Sequence, residues 1–200
     1  TTAMMNADAI EHAASLSAET PSLAVGLHFV LSYGKPLTPM PSLQREGKLG
    51  KWIWDVAAQG GLAVEEVEEE LEHQYRKFMA LFGRKPVHID SHHHVHFIPQ
   101  VWSVVSKFAQ QKGLPLRFDR TVACENGIKP AGIQSSEGFV SHFYAENVSE
   151  AFFLHALDES TSRHEQSVEI MCHPGFVDLT LQQSAYCFPR LEELNVLTSE

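Results

Sequence analysis

Hydrophobic positions along this chain alternate between strand-like runs and helix-like periodicity. Residues 64–82 repeat apolar side chains every three or four positions, and Gly83 follows at the point where a helix commonly ends. A short apolar run over residues 23–29 predicts a buried strand, and residues 167–172 predict another strand. Because strands and helices follow one another in turn, the pattern predicts an α/β fold with a mainly parallel sheet.

Capping residues and prolines set the bounds of the other predicted elements. These are a strand over residues 1–5, a helix that begins after an Asn6 cap and runs to about Ser17, a helix from Pro99 to the residue before Gly113, a strand over residues 114–118, and a helix capped by Ser149. The acidic side chains of the 64–82 helix are predicted to lie mostly on its solvated face: Glu65, Glu66, Glu68, Glu69, Glu70 and Glu72.

Residues 88–96 contain five histidines and one aspartate. Imidazole and carboxylate are the usual protein ligands of a catalytic divalent metal. In a strand, alternation would place every second side chain of this segment on one face: His88, Asp90, His92 and His94. Since no more than two or three histidines can reach one ion, the others are expected to shape the rim or orient ligands. The segment predicts a metal site, with a plain surface histidine tract as the competing interpretation.

Candidate functional groups stand at the ends of three predicted strands. His28 ends one strand, the 88–96 segment follows a second, and His173 ends a third. Active-site groups gather at the carboxyl ends of parallel strands, although each histidine alone is also compatible with a structural role. Arg117 and Asp119 are predicted to share a face, where they bind an anionic substrate group or each other.

Composition limits the classes of partner. A hydrophobic content of 44% and a charged content of 20% are ordinary for a globular chain, and residues 1–200 are predicted to form a single domain. The formal net charge of −10 argues against nucleic acid and against an anionic membrane surface. No apolar run reaches the ~18 residues of a membrane-spanning helix, and three cysteines make no disulfide framework, so a cytoplasmic protein is expected. Both ends look internal, and the chain is expected to be a fragment of a longer protein.

Three separated motifs resemble the YdjC-like carbohydrate deacetylases. They are Gly-Leu-His-Phe at 26–29 with Gly-Lys-Pro-Leu at 34–37, the histidine segment 88–96, and Glu-Ile-Met-Cys-His-Pro at 169–174. The similarity runs from Thr1 to Glu200 and includes residues 51–54 and 184–190. The resemblance implies a deformed (β/α) TIM-like barrel, here without its first strand.

The resemblance also implies an activity and its substrates. It implies hydrolysis of an N-acetyl group from chitooligosaccharides, namely chitobiose-6-phosphate and chitotriose-6-phosphate, as part of chitin-oligosaccharide degradation. The cofactor implied by the family is Mg²⁺, whereas a site with two imidazoles suits Zn²⁺ or another divalent transition metal better. A homodimer is the assembly that relatives suggest.

Site residues follow from the same resemblance, motif by motif. His28 and His92 are the implied metal ligands, and His173 is the candidate general acid for the leaving amine. Arg117 is a candidate contact for the sugar or its phosphate. The catalytic base, an aspartate, and a third ligand are expected from a motif upstream of Thr1.

Two other classes of protein compete with the enzyme. One is a non-catalytic carbohydrate-binding or regulatory barrel, in which Trp52 and Trp54 stack on sugar rings, although tryptophans with this spacing are more often packed in a core. The other is a histidine-rich module that stores metal ions.

Overall fold

A three-stranded parallel sheet organises the first part of the chain. The computed structural model describes residues 1–130 and 132–199. Strand β1 (Thr2–Ala3) pairs with β2 (Gly26–Phe29), and β2 pairs with β3 (Ile89–Ser91), both in parallel. The helices of this part are α1 (Ile10–Glu19), α2 (Ile53–Ala58), α3 (Val64–Phe82), α4 (Pro99–Lys112) and α5 (Arg120–Glu125). Helices between parallel strands confirm the predicted α/β class.

The core of this part lies around the two longer strands. Leu27 and Ile89 are neighbours in the β2–β3 register, and both are fully buried. Phe78 of α3 and Val105 of α4 belong to the same apolar cluster, and neither is exposed. Each such side chain contributes about 1.5–3 kcal/mol of transfer free energy, so the packing holds the strand ends in place.

Helix α3 has the predicted bounds, but one of its glutamates is buried rather than solvated. It spans Val64–Phe82, and Gly83 ends it in the left-handed conformation at φ 63°. Glu70, however, is fully buried, contrary to the predicted solvated face. Its carboxylate accepts hydrogen bonds from the backbone N–H groups of Leu37 and Thr38 and from the Thr38 hydroxyl. Burial is tolerated because these donors replace water around the charge.

Residues from 136 onward form a second compact unit, distinct from residues 1–135. Its strands β4 (Gly138–Val140) and β5 (Val168–Ile170) pair in parallel. Its helices are α6 (Glu150–Ser162) and α7 (Pro189–Thr198). Ser149 caps α6 as predicted, because its hydroxyl accepts from the Phe152 N–H at 3.1 Å. Closure of the predicted TIM-like barrel is not seen among the described residues, whose strands form two separate sheets. The single-domain assignment stays a prediction.

Several predicted elements are shorter than expected or take another form. Residues 114–118 form only an isolated bridge, between Leu116 and Ile89. Asn6 does not cap α1, which begins at Ile10; its side-chain amide donates instead to the Tyr33 carbonyl at 2.7 Å.

Within the described residues, every helix is too short or too polar to cross a membrane.

Candidate functional site

Parallel pairing of β2 with β3 brings His28 and Asp90 together. The two residues are register partners, and His28 Nδ1 lies 2.7 Å from Asp90 Oδ1. Thr2 on β1 adds a third group, since its hydroxyl donates to Asp90 Oδ2 at 3.4 Å. Asp90 is almost fully buried, at 1% exposure, whereas the His28 side chain is 19% exposed. The sheet edge therefore presents an imidazole whose inner nitrogen is already held by a carboxylate.

Arg117 completes a chain of charged groups behind His28. Its guanidinium lies 3.0 Å from Asp90 Oδ2 and is 9% exposed. Burial alone would raise the pKa of Asp90, but the hydrogen bond from His28 and the positive charge of Arg117 outweigh it and hold that pKa well below its ordinary value. Asp90 is therefore ionised, and it accepts the Nδ1 proton of His28. This leaves His28 Nε2 with its lone pair, which is the form of histidine that binds metals.

His88 lies near the same carboxylate, in space that Gly26 leaves open. A side chain at Gly26 would place its Cβ 2.6 Å from His88 Cε1, so the imidazole occupies space that only glycine leaves open. His88 and Asp90 offer ligand atoms within 4.8 Å of each other. The motifs Gly26-x-His28 and His88-x-Asp90 thus match position by position across the two strands. This shared spacing is a signal in the sequence: with the two strands paired in parallel, it places Gly26 opposite His88 and His28 opposite Asp90.

The histidines that follow β3 do not continue its alternation, so the predicted shared face stops at Ser91. Residues His92–Phe97 form a 3₁₀ helix in which His93 and His94 take left-handed backbone angles, φ 54° and 55°. This turn directs His92 towards His28, with ring centroids 5.5 Å apart. Such backbone angles are uncommon for residues other than glycine, and they cluster at functional sites.

The next histidines in the segment are kept neutral. Burial lowers the pKa of His94 to about 4, helped by the positive charge of Arg117. Burial also lowers the pKa of His96 to about 3, and His96 Nδ1 hydrogen-bonds the Ser91 hydroxyl. His96 is therefore an uncharged core residue at neutral pH.

Arg117 and Asp119, which are predicted to share a face, each contact a different group. Arg117 holds Asp90, while the Asp119 carboxylate caps α5 by accepting from the Thr121 and Val122 N–H groups. Sequence reasoning missed the Arg117–Asp90 pair because the two residues are distant in the chain. A substrate contact for Arg117 stays a prediction.

His173 lies in the second unit, just after β5, and a buried glutamate holds its backbone. Glu193 of α7 is fully buried, and it accepts hydrogen bonds from the His173 N–H and the Tyr186 hydroxyl. Arg190 donates to the His173 carbonyl at 3.1 Å. The Tyr186 ring stacks on Tyr144 at 3.9 Å, and the Tyr144 ring meets the His173 ring edge-on at 5.6 Å. The sequence pattern gives no signal for Glu193, and it includes Tyr186 only as part of the 184–190 stretch that carries the resemblance.

The donor set of the first unit fits a divalent cation. His28 has a carboxylate on its inner nitrogen, which is the usual outer support of a metal-binding imidazole. His92 supplies a second imidazole beside it, and His88 with Asp90 supplies further ligand atoms nearby. Two imidazoles with oxygen donors suit zinc and related metals, and oxygen donors also admit magnesium.

Comparison with known proteins places the chain in a family. The family model described as "YdjC-like protein" matches residues 1–200. A protein of Escherichia fergusonii named chitooligosaccharide deacetylase is 57% identical over 199 residues, covering all of this chain and 79% of the relative. A crystal structure from Enterococcus faecalis V583, of a protein provisionally named a cellobiose-phosphate cleavage protein, matches the whole chain with a TM-score of 0.89 and 32% identity, over 79% of that protein. On this match of sequence and fold, the chain belongs to the YdjC-like protein family.

Proposed function

We propose that this protein is a metal-dependent hydrolase that removes an N-acetyl group from chitooligosaccharides. The finer form of the proposal takes chitobiose-6-phosphate and chitotriose-6-phosphate as substrates and places the reaction in the breakdown of chitin-derived oligosaccharides. The name of the 57% identical relative supports the deacetylase class and the type of sugar. The strongest structural support is the His28 ring, whose Nδ1 is held by the ionised Asp90 so that Nε2 is left to bind a metal.

The reaction is hydrolysis of an amide. A water molecule gives up a proton to a base as its oxygen joins the acetyl carbon. The bond between that carbon and the sugar nitrogen breaks, and the leaving amine takes up a proton. His28 and His92 would hold the divalent cation, with Mg²⁺ as the family's metal and Zn²⁺ as the alternative. When bound, such a cation acts as a Lewis acid on the acetamide oxygen and lowers the pKa of a water molecule.

The remaining roles belong to side chains that the two units hold in place. Asp90 fixes the tautomer and direction of His28, and Arg117 keeps Asp90 ionised. His173 is the proposed proton donor to the leaving nitrogen, a role that contributes about 10²–10⁴ in rate. Its backbone is held by Glu193 and Arg190, which suits a group that must meet a substrate atom in a defined position.

The test is acetate release from chitobiose-6-phosphate, with bound metal measured by elemental analysis in the same samples. We expect chelation to abolish release, and we expect His92→Ala to lose both the metal and the activity. His12→Ala is the matched control, because His12 is an exposed histidine on α1 and should change neither. Full activity after chelation would refute the metal dependence. Release by His92→Ala at the normal rate would refute the ligand assignment.

A further inference from the structure

We propose that Tyr33 and Trp54 form a binding surface for a second sugar ring, next to the ring that reacts at the histidines. This inference rests on the proposed function and names what sets the preference for an oligosaccharide over a single sugar. Both side chains are large, aromatic and exposed, with 58% of Tyr33 and 39% of Trp54 open to solvent. We call the pair the aromatic rim.

The aromatic rim continues the row of imidazoles that begins at the metal ligand His28. The His28 and His92 rings are 5.5 Å apart, and the His92 and His93 rings are 3.8 Å apart. From there, Tyr33 lies 5.8 Å from His92 and Trp54 lies 6.4 Å from His93, again between ring centroids. A sugar bound at His28 and His92 would therefore have its neighbouring ring over aromatic surface rather than over water.

The backbone around Tyr33 is held by a buried polar network on α3. Gln74 is fully buried, and its side-chain amide donates to the Val30 carbonyl at 2.9 Å and accepts from the Val30 N–H at 3.1 Å. Gln74 also donates to Glu70 at 2.7 Å, and Glu70 in turn binds Thr38. The segment that presents Tyr33 is thus anchored on both sides by side chains that have no contact with solvent.

Two further side chains, Asn6 and Ser32, hold this segment in place. The Asn6 amide donates to the Tyr33 carbonyl at 2.7 Å. Ser32 is the residue before Tyr33. Its hydroxyl lies 2.9 Å from His93 Nδ1 and donates to the His92 carbonyl at 3.3 Å. The hydrogen bonds hold the backbone that carries Tyr33 in one conformation, and such preorganisation reduces the entropy lost when a ligand binds.

The neighbouring tryptophan shows what a structural role looks like in this region. Trp52 donates from Nε1 to the Leu43 carbonyl at 2.7 Å, and Arg45 covers its ring at 5.0 Å. A side chain at Gly50 would collide with the Trp52 ring. Trp54 follows on α2 next to the fully buried Ile53, and it turns its indole to His93 instead. The two tryptophans predicted together as sugar-binding candidates therefore differ, and only Trp54 belongs to the aromatic rim.

The chemistry of the rim favours a pyranose ring. The C–H face of a sugar is apolar, and an indole or phenol face packs on it while its polar edge stays solvated. A sugar chain of the length proposed here would place one ring at the histidines and the next on the rim. A single N-acetylated sugar would reach the histidines alone.

The test compares sugar binding by calorimetry, with the metal-loaded and the chelated protein. The ligands are chitobiose-6-phosphate and N-acetylglucosamine-6-phosphate, and the variants are Trp54→Ala, Tyr33→Ala and the control Leu16→Ala. Leu16 is an exposed apolar residue of α1, 52% exposed and outside the site. We expect Trp54→Ala to weaken binding of the disaccharide about tenfold, with the monosaccharide and Leu16→Ala unchanged. Trp54→Phe should restore most of the affinity.

Each contrary outcome has a separate meaning. Unchanged disaccharide affinity in Trp54→Ala, or equal losses for both sugars, would overturn the aromatic rim. Failure of the wild type to bind the disaccharide in either metal state would overturn it as well. If the disaccharide binds through Trp54 but no acetate is released, the rim stands and the proposed hydrolase function falls.

Discussion

Two buried carboxylates each hold a histidine in this protein, and they do so in different ways. Asp90 contacts the ring of His28, at 2.7 Å from Nδ1. Glu193 instead contacts the backbone N–H of His173, while its carboxylate lies 4.0 Å from that residue's Nδ1, beyond hydrogen-bond length. The first arrangement sets the tautomer of an imidazole, as a metal ligand needs. The second sets the position of the His173 backbone, as a group that must meet a substrate atom in a defined place needs.

The largest effect that separates the two histidines should come from His173→Ala. If His173 gives a proton to the leaving amine, kcat for acetate release should fall about 10²–10⁴-fold. Bound metal should stay at the wild-type level, because the proposed ligands lie in the first unit. His155→Ala, at an exposed histidine of α6, is the matched control. Loss of metal in His173→Ala would instead make His173 a ligand and remove the contrast.

Asp90→Asn tests the ring-holding carboxylate. Because the variant weakens the support of His28, we expect metal affinity to fall about 10–100-fold. The activity should recover as metal is added in excess. Stability should also fall, since the buried Arg117 loses its ion pair with Asp90. Asp119→Asn removes a nearby carboxylate that only caps α5, and it should keep the metal affinity. Wild-type metal affinity in Asp90→Asn would show that Asp90 does not support His28 as a metal ligand.

Glu193→Gln tests the backbone-holding carboxylate. The amide can still accept one hydrogen bond but presents an N–H group to the other donor, so His173 should be less well positioned. We expect kcat to fall about tenfold with KM little changed, and the free energy of unfolding to fall by about 1–3 kcal/mol. Glu192→Gln, at the exposed neighbour, should do neither. A lower metal content in Glu193→Gln would show that the two carboxylates serve one site in the same way.

His96 extends the comparison to a histidine held by a hydroxyl. Its pKa is about 3 in the folded chain and about 6.5 when unfolded, so the unfolded chain binds the extra proton between these values. The stability linked to His96 is therefore complete above about pH 6.5 and is lost as the pH falls towards 3. In this range His96 should add about 1.4 kcal/mol per pH unit to the slope of the unfolding free energy. Urea unfolding of the wild type and His96→Gln at several pH values measures that difference, and equal slopes would contradict it.

Much of the architecture could be predicted from local patterns. Helices α3 and α4 could be predicted from their apolar periodicity, from the proline at the start of α4, and from the glycine that follows the last residue of each helix. The first strands are shorter than predicted, because an apolar run marks burial rather than the length of a hydrogen-bonded ladder. The break in alternation after Ser91 could not be predicted, since five histidines in nine residues match a strand and a turn equally well.

The sequence by itself determined which chemistry the chain has to offer. It determined that imidazoles concentrate after one strand, that others follow two more strands, and that the motifs match one family from end to end. These features are local, because ligand types and helix periods are written in consecutive residues.

Only the tertiary structure decided which groups work on one another. Parallel register placed Asp90 against His28, and the path of the chain brought Arg117 to Asp90. Folding also buried Glu70 and Glu193, two glutamates that look like ordinary surface residues in the sequence. The physical reason is that a buried charge is stable only among donors gathered from distant parts of the chain, and no local pattern records that gathering.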